Sequence, residues 1–351
     1  MKKIVKRVLV TLLSIFCIIL VVVLVVFWKP IKSLASLKMV NDYPFYTMTY
    51  YGDYGFDKFL EVGAKNDEEL VNFALKNLLK GYDIHFKFSE VSCTCFTAST
   101  PEGERIFGRN FDFPYSPSML IKTYPDNGYA SLAMVNLAFL GYDKDKLPVG
   151  LSAIPTLIGP YLPFDGMNEK GLVIACMATR DEPQPEATGK IMLNTTTVMR
   201  LVLDKAATVD EAISILKNYD VYFSQGIVNH YLIADASGNS AVIEFAQGEM
   251  KVIPATGNSQ VCTNFALFRN KKEGNGVERY LETEKVLTES QSILTQEEAM
   301  SLLDKINIRN YLPSSDYTGD TQWSLIFNSQ KLTIDVVINR NYEQVYTYSV
   351  K

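Results

Sequence analysis

The apolar runs and turns predict an α+β protein, its strands gathered in consecutive hairpins and its helices set apart from them, behind one long apolar segment. Strand-length apolar runs stand at 172–177, 231–235, 241–245, 323–327 and 332–338. Turn residues join neighbouring runs: Asp235-Ala236-Ser237-Gly238-Asn239 in one case, Asn328-Ser329-Gln330 in the other. Helix starts lie elsewhere, at Thr208 with Glu211 and Thr295 with Glu298, each spaced as a capping box. Strand joined to strand favours a layered α+β fold over alternating βαβ units.

The first element is the apolar segment. From Val8 to Trp28 only Thr11 and Ser14 are polar. A helix of that length, at about 1.5 Å per residue, spans roughly 30 Å, the thickness of a bilayer's hydrocarbon core. Lys2, Lys3, Lys6 and Arg7 precede it, and Trp28-Lys29-Pro30 follows as an interfacial anchor and helix stop. A cleaved signal peptide has a shorter apolar core, and only Ser33-Leu34-Ala35 offers a small-x-small site nearby. Residues 1–35 therefore read as a cytoplasmic tip and single-pass cell-membrane anchor, with the body that follows extracytoplasmic.

Residues 36–92 read as a helical, propeptide-like lead-in. Leu70, Val71, Ala74, Leu75, Leu78 and Leu79 recur at helical spacing, Asn66 with Glu69 marks the start, and Gly81 marks the stop. The net charge is −5, but the first 35 residues hold six basic side chains and no acid, leaving −11 for the remainder. An acidic body repels phosphate backbones, which disfavours nucleic acid as a partner. Cys17, Cys93, Cys95, Cys176 and Cys262 show no repeated spacing, so a dense disulfide framework is not expected.

Histidine narrows the chemistry. Only His85 and His230 are present, so a Cys-His or Ser-His hydrolase has almost no choice of base. His230 opens a strand and reads as a half-buried, hydrogen-bonded residue. Cys93-Thr94-Cys95 with two histidines lacks the usual Cys-x₂₋₄-Cys spacing of a structural zinc site. One arrangement needs no imidazole. If the chain is cut before a cysteine, the new α-amine titrates at about 7.7–8.0 and the thiol at about 8.5, so the amine can take the thiol's proton. Arg109 folded against Cys93 favours the thiolate, and Asp112 holds the amine.

Cys93-Thr94-Cys95-Phe96, followed sixteen residues after Cys93 by Arg109 in Gly108-Arg109-Asn110-Phe111-Asp112, resembles the start of the choloylglycine hydrolase family. That family holds bile salt hydrolases and penicillin V acylases, with relatives among acid ceramidases and acyl-transferring penicillin enzymes. The resemblance runs on through Asn168-Glu169-Lys170-Gly171-Leu172, His230 to Gly238, Cys262-Thr263-Asn264, Glu278-Arg279-Tyr280 and Trp323-Ser324, covering residues 93–351 in the expected order. It implies a catalytic domain over 93–351 with the four-layer αββα sandwich of N-terminal nucleophile hydrolases.

Residue by residue, Cys93 resembles the nucleophile whose amine is also the base. Arg109 and Asp112 resemble the pair flanking it, Asn264 the side-chain donor to the oxyanion, and Arg279 the arginine completing the polar network. One position departs: ten residues after Asn168, bile salt hydrolases carry an asparagine and penicillin V acylases a tyrosine, whereas this chain has Ala178 and then Thr179. A backbone N–H or the Thr179 hydroxyl is the expected second donor. The resemblance thus implies a hydrolase of linear, non-peptide amide C–N bonds in small N-acyl substrates. It works through a Cys93 thioester after autocatalytic cleavage between Ser92 and Cys93, and needs no metal or organic cofactor. An acyltransferase using the same acyl-enzyme, or an inactive cell-surface binding module, are the alternatives, and homo-oligomerisation stays open.

Overall fold

The computed structural model describes residues 2–78, 92–179, 182–309 and 319–351. The apolar N-terminal run is helical in α1 (Lys2–Val26), and α2 (Trp28–Ala35) follows a break at Phe27. Reading Trp28-Lys29-Pro30 as a stop is thereby corrected. Pro30 sits in the first turn of α2, where a backbone N–H has no intrahelical acceptor and its loss costs little. Among the described residues no helix is long and apolar enough to cross a membrane, so the structure gives the expected transmembrane helix no support.

The lead-in contains β1 (Lys38–Asn41), β2 (Phe45–Tyr50), α3 (Phe56–Val62) and α4 (Asp67–Leu78). In α4, Asn66 Oδ1 accepts from the Glu69 N–H at 2.9 Å, and Leu70, Val71 and Ala74 are buried. Leu79, Gly81 and His85 lie outside the described residues. The segment does more than lead in: β2 pairs with a strand of the body, and Tyr54 donates to Asp204 at 2.6 Å, inside a buried cluster with Arg200.

The body begins with β3 (Ser92–Ser99), β4 (Arg105–Phe113), β5 (Ser118–Thr123), β6 (Ser131–Asn136), β7 (Pro163–Asn168) and β8 (Val173–Ala178). β9 (Ile191–Asn194), α5 (Thr195–Lys205), α6 (Val209–Leu216), β10 (Tyr219–Tyr222), β11 (Asn229–Ala234), β12 (Ser240–Ala246), β13 (Glu249–Pro254) and β14 (Val261–Cys262) follow. Then come α7 (Val277–Glu289), α8 (Gln296–Lys305), β15 (Asp320–Asn328), β16 (Thr333–Ile338) and β17 (Tyr346–Ser349). The five expected strand runs are β8, β11, β12, β15 and β16. Both capping threonines start helices, α6 and α8, and accept from the N–H three residues on.

One sheet runs β1-β2-β5-β6-β7-β8-β11-β12-β13 and a second runs β14-β3-β4-β15-β16-β17. Their facing sides share one apolar core, with Phe111 of β4 against Phe164 of β7 and Cys95 of β3 against Met177 of β8. α5 packs on β7 and β8, and α8 packs on β4 and β15, giving helix, sheet, sheet, helix.

The two-residue period of β4 distributes its motif between layers. Phe107, Phe111 and Phe113 point into the core between the sheets, and Arg109 shares their side. Gly108, Asn110 and Asp112 point outward. A Cβ on Gly108 would lie 2.3 Å from the Phe96 ring on the neighbouring strand, so any larger residue there forces that ring to shift. Asn110 Nδ2 donates to the Leu303 carbonyl at 2.8 Å and so fastens α8 to the sheet.

Candidate active site

Strand register assembles the site. Cys262 of β14 stands opposite Cys95 of β3, so two residues further along the antiparallel pair Asn264 reaches the level of Cys93. The Cys93 N–H donates to Asn264 Oδ1 at 2.7 Å. Arg279, in the first turn of α7, donates from Nη2 to the same oxygen at 3.0 Å. Its Nη1 donates to Asp112 Oδ2 at 2.8 Å and to Thr94 Oγ1 at 2.6 Å. Thr321 closes the set by donating to Asp112 Oδ1. Asn264 Nδ2 donates to the Ala178 carbonyl at 2.9 Å, which fixes which face of the amide carries the donor.

Arg109 approaches from the inner side. It is fully buried, pairs through Nε with Asp165 Oδ2 at 3.3 Å, and points Nη1 at Cys95 Sγ, 3.7 Å away. Cys93 is fully buried as well. Burial pushes its thiol up to about 11; Arg109 pulls it down, the Asp112 charge pushes it up, and the Asp112 backbone N–H pulls it down again. Desolvation wins, and this thiol is protonated at neutral pH. Burial likewise raises Asp112, against the opposing pull of Arg279, Thr321 and Arg109.

Cys93, Arg109, Asp112, Asn264 and Arg279 thus converge from β3, β4, the segment after β14, and α7. Thr179 lies beside them but is engaged elsewhere, its N–H and hydroxyl both donating to the Val228 carbonyl at 2.7 and 3.3 Å. It lines a cleft of about 490 Å³ with Asn264, Glu182, Phe265, Phe268 and Arg269. Glu182 and Arg269 form an ion pair of 2.7 Å in its wall. A second cavity, of about 540 Å³ beside Tyr280 and Glu284, holds none of the converging side chains.

His230 is buried, with Nδ1 2.8 Å from Glu244 and Nε2 2.7 Å from the Thr263 carbonyl. Cys262 Sγ lies 3.3 Å from Nε2, so thiol, imidazole and carboxylate follow one another as in a Cys-His-acid triad. Nε2 is already held by a carbonyl, however, and burial keeps the Cys262 thiol well above its ordinary range. The geometry describes a structural histidine. Sequence reasoning missed this contact, since nothing local links positions 230 and 262. It also missed Asp165 and Thr321, which hold Arg109 and Asp112. Asp165 stands three residues before Asn168, just outside the Asn168–Leu172 stretch that carried the resemblance.

A family model described as linear amide C–N hydrolases, choloylglycine hydrolase family, matches residues 93–285. Over 186 residues the chain is 30% identical to a bile salt hydrolase/transferase of Clostridium perfringens, covering 50% of this chain and 54% of that protein. Over 115 residues it is 35% identical to a penicillin V acylase of Pectobacterium atrosepticum, covering 30% of each. The matches therefore span about half, or less, of the length of these relatives. Among solved structures, a mutant conjugated bile acid hydrolase from Clostridium perfringens superposes with a TM-score of 0.54 at 18% identity, over 73% of this chain and 92% of the other. The penicillin V acylase of Agrobacterium tumefaciens gives 0.50 at 17% identity, over 70% and 83%. Both likenesses are of fold.

Proposed function

The chain belongs to the choloylglycine hydrolase family of linear amide C–N hydrolases, and from that premise we propose that Cys93 is its nucleophile, freed by a cut after Ser92. The observation that carries this reading is the 2.7 Å bond from the Cys93 nitrogen to Asn264 Oδ1, an oxygen that Arg279 also holds. The atom that would become the α-amine already donates to the acceptor that would orient it.

Maturation follows the same chemistry as turnover. Cys93 Sγ attacks the Ser92 carbonyl, the thiol proton passes to the departing nitrogen, and water hydrolyses the thioester to leave a free carboxylate and a free amine. That amine then serves as base. It takes the thiol proton as sulfur attacks the substrate's amide carbonyl, while Asn264 Nδ2 supports the developing oxyanion. The proton next goes to the leaving amine. Water enters, the thioester breaks, and the acid departs. In the uncut form the raised pKa of Cys93 should slow its alkylation by iodoacetamide at neutral pH relative to the cut form.

The cleft beside Asn264, walled by Phe265 and Phe268 with the Glu182–Arg269 pair, supports a substrate having both apolar and polar parts, such as an N-acylated amine. A second reading is acyl transfer to an acceptor amine, favoured by one relative's description as a hydrolase/transferase. Attachment to a membrane through residues 1–35 belongs to the proposal on its sequence alone; sedimentation with membranes, abolished by deleting 1–35, checks it.

N-terminal sequencing of the purified protein tests the core of the reading. A chain beginning at Cys93, active on a panel of conjugated bile acids, penicillin V and N-acyl amino acids, supports it. Cys93→Ala is expected to stay uncut and inactive. An uncut wild-type protein that turns over this panel, or a Cys93→Ala protein with full activity, refutes it. Added acceptor amines separate hydrolysis from transfer by the product formed.

A further inference from the structure

The same reading of Cys93 leaves Arg109 to be explained, because a fully buried cation needs something to hold it beside a sulfur. Arg109 Nε and Trp323 Nε1 both donate to one oxygen of Asp165, at 3.3 and 2.9 Å. The Trp323 ring stacks on Phe111 with centroids 3.9 Å apart and planes 6° from parallel, and the Arg109 guanidinium lies 5.4 Å from the other partner of that stack, Phe111. Asp165, Trp323 and Arg109 are each 0% exposed. The three come from β7, β15 and β4, so the contact bridges the two sheets.

We propose that Asp165, backed by Trp323, is the positioning residue that fixes the Arg109 guanidinium at the Cys93 thiol. Asp165 touches neither sulfur nor substrate; it acts through Arg109. A guanidinium donates in a rigid fork, so pinning Nε to a carboxylate sets the direction of both terminal nitrogens. Those nitrogens face the thiols: Nη1 points at Cys95, and the guanidinium charge favours the thiolate at Cys93, Cys95 and Cys176 alike. The Asp112 charge, from the opposite side of the sheet, acts against Arg109 at the Cys93 sulfur. Without an acceptor at position 165 the guanidinium loses the bond that sets its direction, and the ion pair that holds it in the core. It then turns away or draws in water, and either change weakens its field at the sulfur.

The test is the pH dependence of Cys93 alkylation by iodoacetamide on the cut protein, read by mass spectrometry of the Cys93 peptide. Asp165→Asn keeps an acceptor for both donors and removes the charge opposing the thiolate, so its midpoint should stay at or below the wild-type value. Asp165→Ala should move the midpoint up by about one unit, making alkylation about tenfold slower below it. Should Asp165→Ala not fold, Arg109→Lys, which keeps the charge but has no Nε to hang on Asp165, should show the same upward displacement. Thermal unfolding checks that each variant is folded. Unmoved midpoints in folded Asp165→Ala and Arg109→Lys, or an Asp165→Asn midpoint displaced upward as far as that of Asp165→Ala, overturn the inference. Failure of the nucleophile reading looks different, since Cys93→Ala would then remain active.

Discussion

Replacing Asn264 by alanine probes the centre of the proposed site, and the structure sets the size of the effect. Among the described residues the side chain makes three bonds: Oδ1 accepts from Cys93 N and Arg279 Nη2, and Nδ2 donates to the Ala178 carbonyl. Cys93 and Ala178 are buried, and the Asn264 side chain between them is nearly so. Truncation strips a partner from each of these groups, two of them buried, and a buried group left unsatisfied costs about 1–3 kcal/mol. At the low end, with Cys93 N and the Ala178 carbonyl as the two buried groups, Asn264→Ala therefore loses about 2 kcal/mol of stability. Its turnover per folded molecule should drop about 10²–10³-fold through loss of the oxyanion donor. Asn264→Asp separates the two effects. It keeps both acceptor contacts but sets an oxygen against the Ala178 carbonyl, so it should recover part of the stability and none of the rate. Urea unfolding with an unchanged m-value reports the first quantity, and turnover of the best substrate in the panel reports the second. Wild-type stability in Asn264→Ala, or wild-type turnover in Asn264→Asp, would refute the reasoning.

Three further outcomes are expected. Tyr54→Phe removes a buried hydrogen bond to the Asp204 carboxyl and should cost about 1.5–3 kcal/mol in urea unfolding; no change would mean that the lead-in is not energetically coupled to α5. Gly108→Ala drives a methyl into the Phe96 ring and should cost about 1–3 kcal/mol, partly regained when Phe96→Leu is added, as a double-mutant cycle would show. At Glu244, burial pushes the carboxyl up, but the bonds from His230, Leu267 N and Phe268 N outweigh it and hold it below its ordinary 4.5. A depressed carboxyl contributes fully above that value and loses its contribution as pH falls through the lowered one. Wild type should therefore lose more stability below about pH 4.5 than Glu244→Gln, and parallel curves would count against the assignment.

What the sequence disclosed was what short-range rules encode. The strands β8, β11, β12, β15 and β16 are apolar runs bounded by turn residues, and the caps Thr208 and Thr295 act within one helical turn. The spacing from Cys93 to Arg109 is legible because one hairpin, β3 to β4, carries both. Other contacts had no local signature. β2, Phe-Tyr-Thr-Met-Thr-Tyr between Asn41-Asp42-Tyr43-Pro44 and Gly52-Asp53, carries strand and turn signals, but nothing local names its partner β5, which lies some seventy residues away. Asp165 reaches Arg109 across two sheets, and Cys262 meets His230 only because β14 lies against β3 in the second sheet while β11 is in the first. At Pro30 a local rule was applied at the wrong register: proline ends a helix from its interior but is tolerated in the first turn.

The placement of β1 and β2 governs what a nick in the chain can do. β2 lies alongside β5 through six residues, from Phe45 opposite Ser118 to Tyr50 opposite Thr123, and β1 covers its far side. Severing the backbone between positions 92 and 93 alters connectivity and leaves that ladder whole. Shedding the N-terminal piece would instead bare the flank of β5 as an open row of peptide groups, a template for pairing with other chains. A nicked molecule that keeps its first fragment stays capped at that border; one that loses it becomes adhesive.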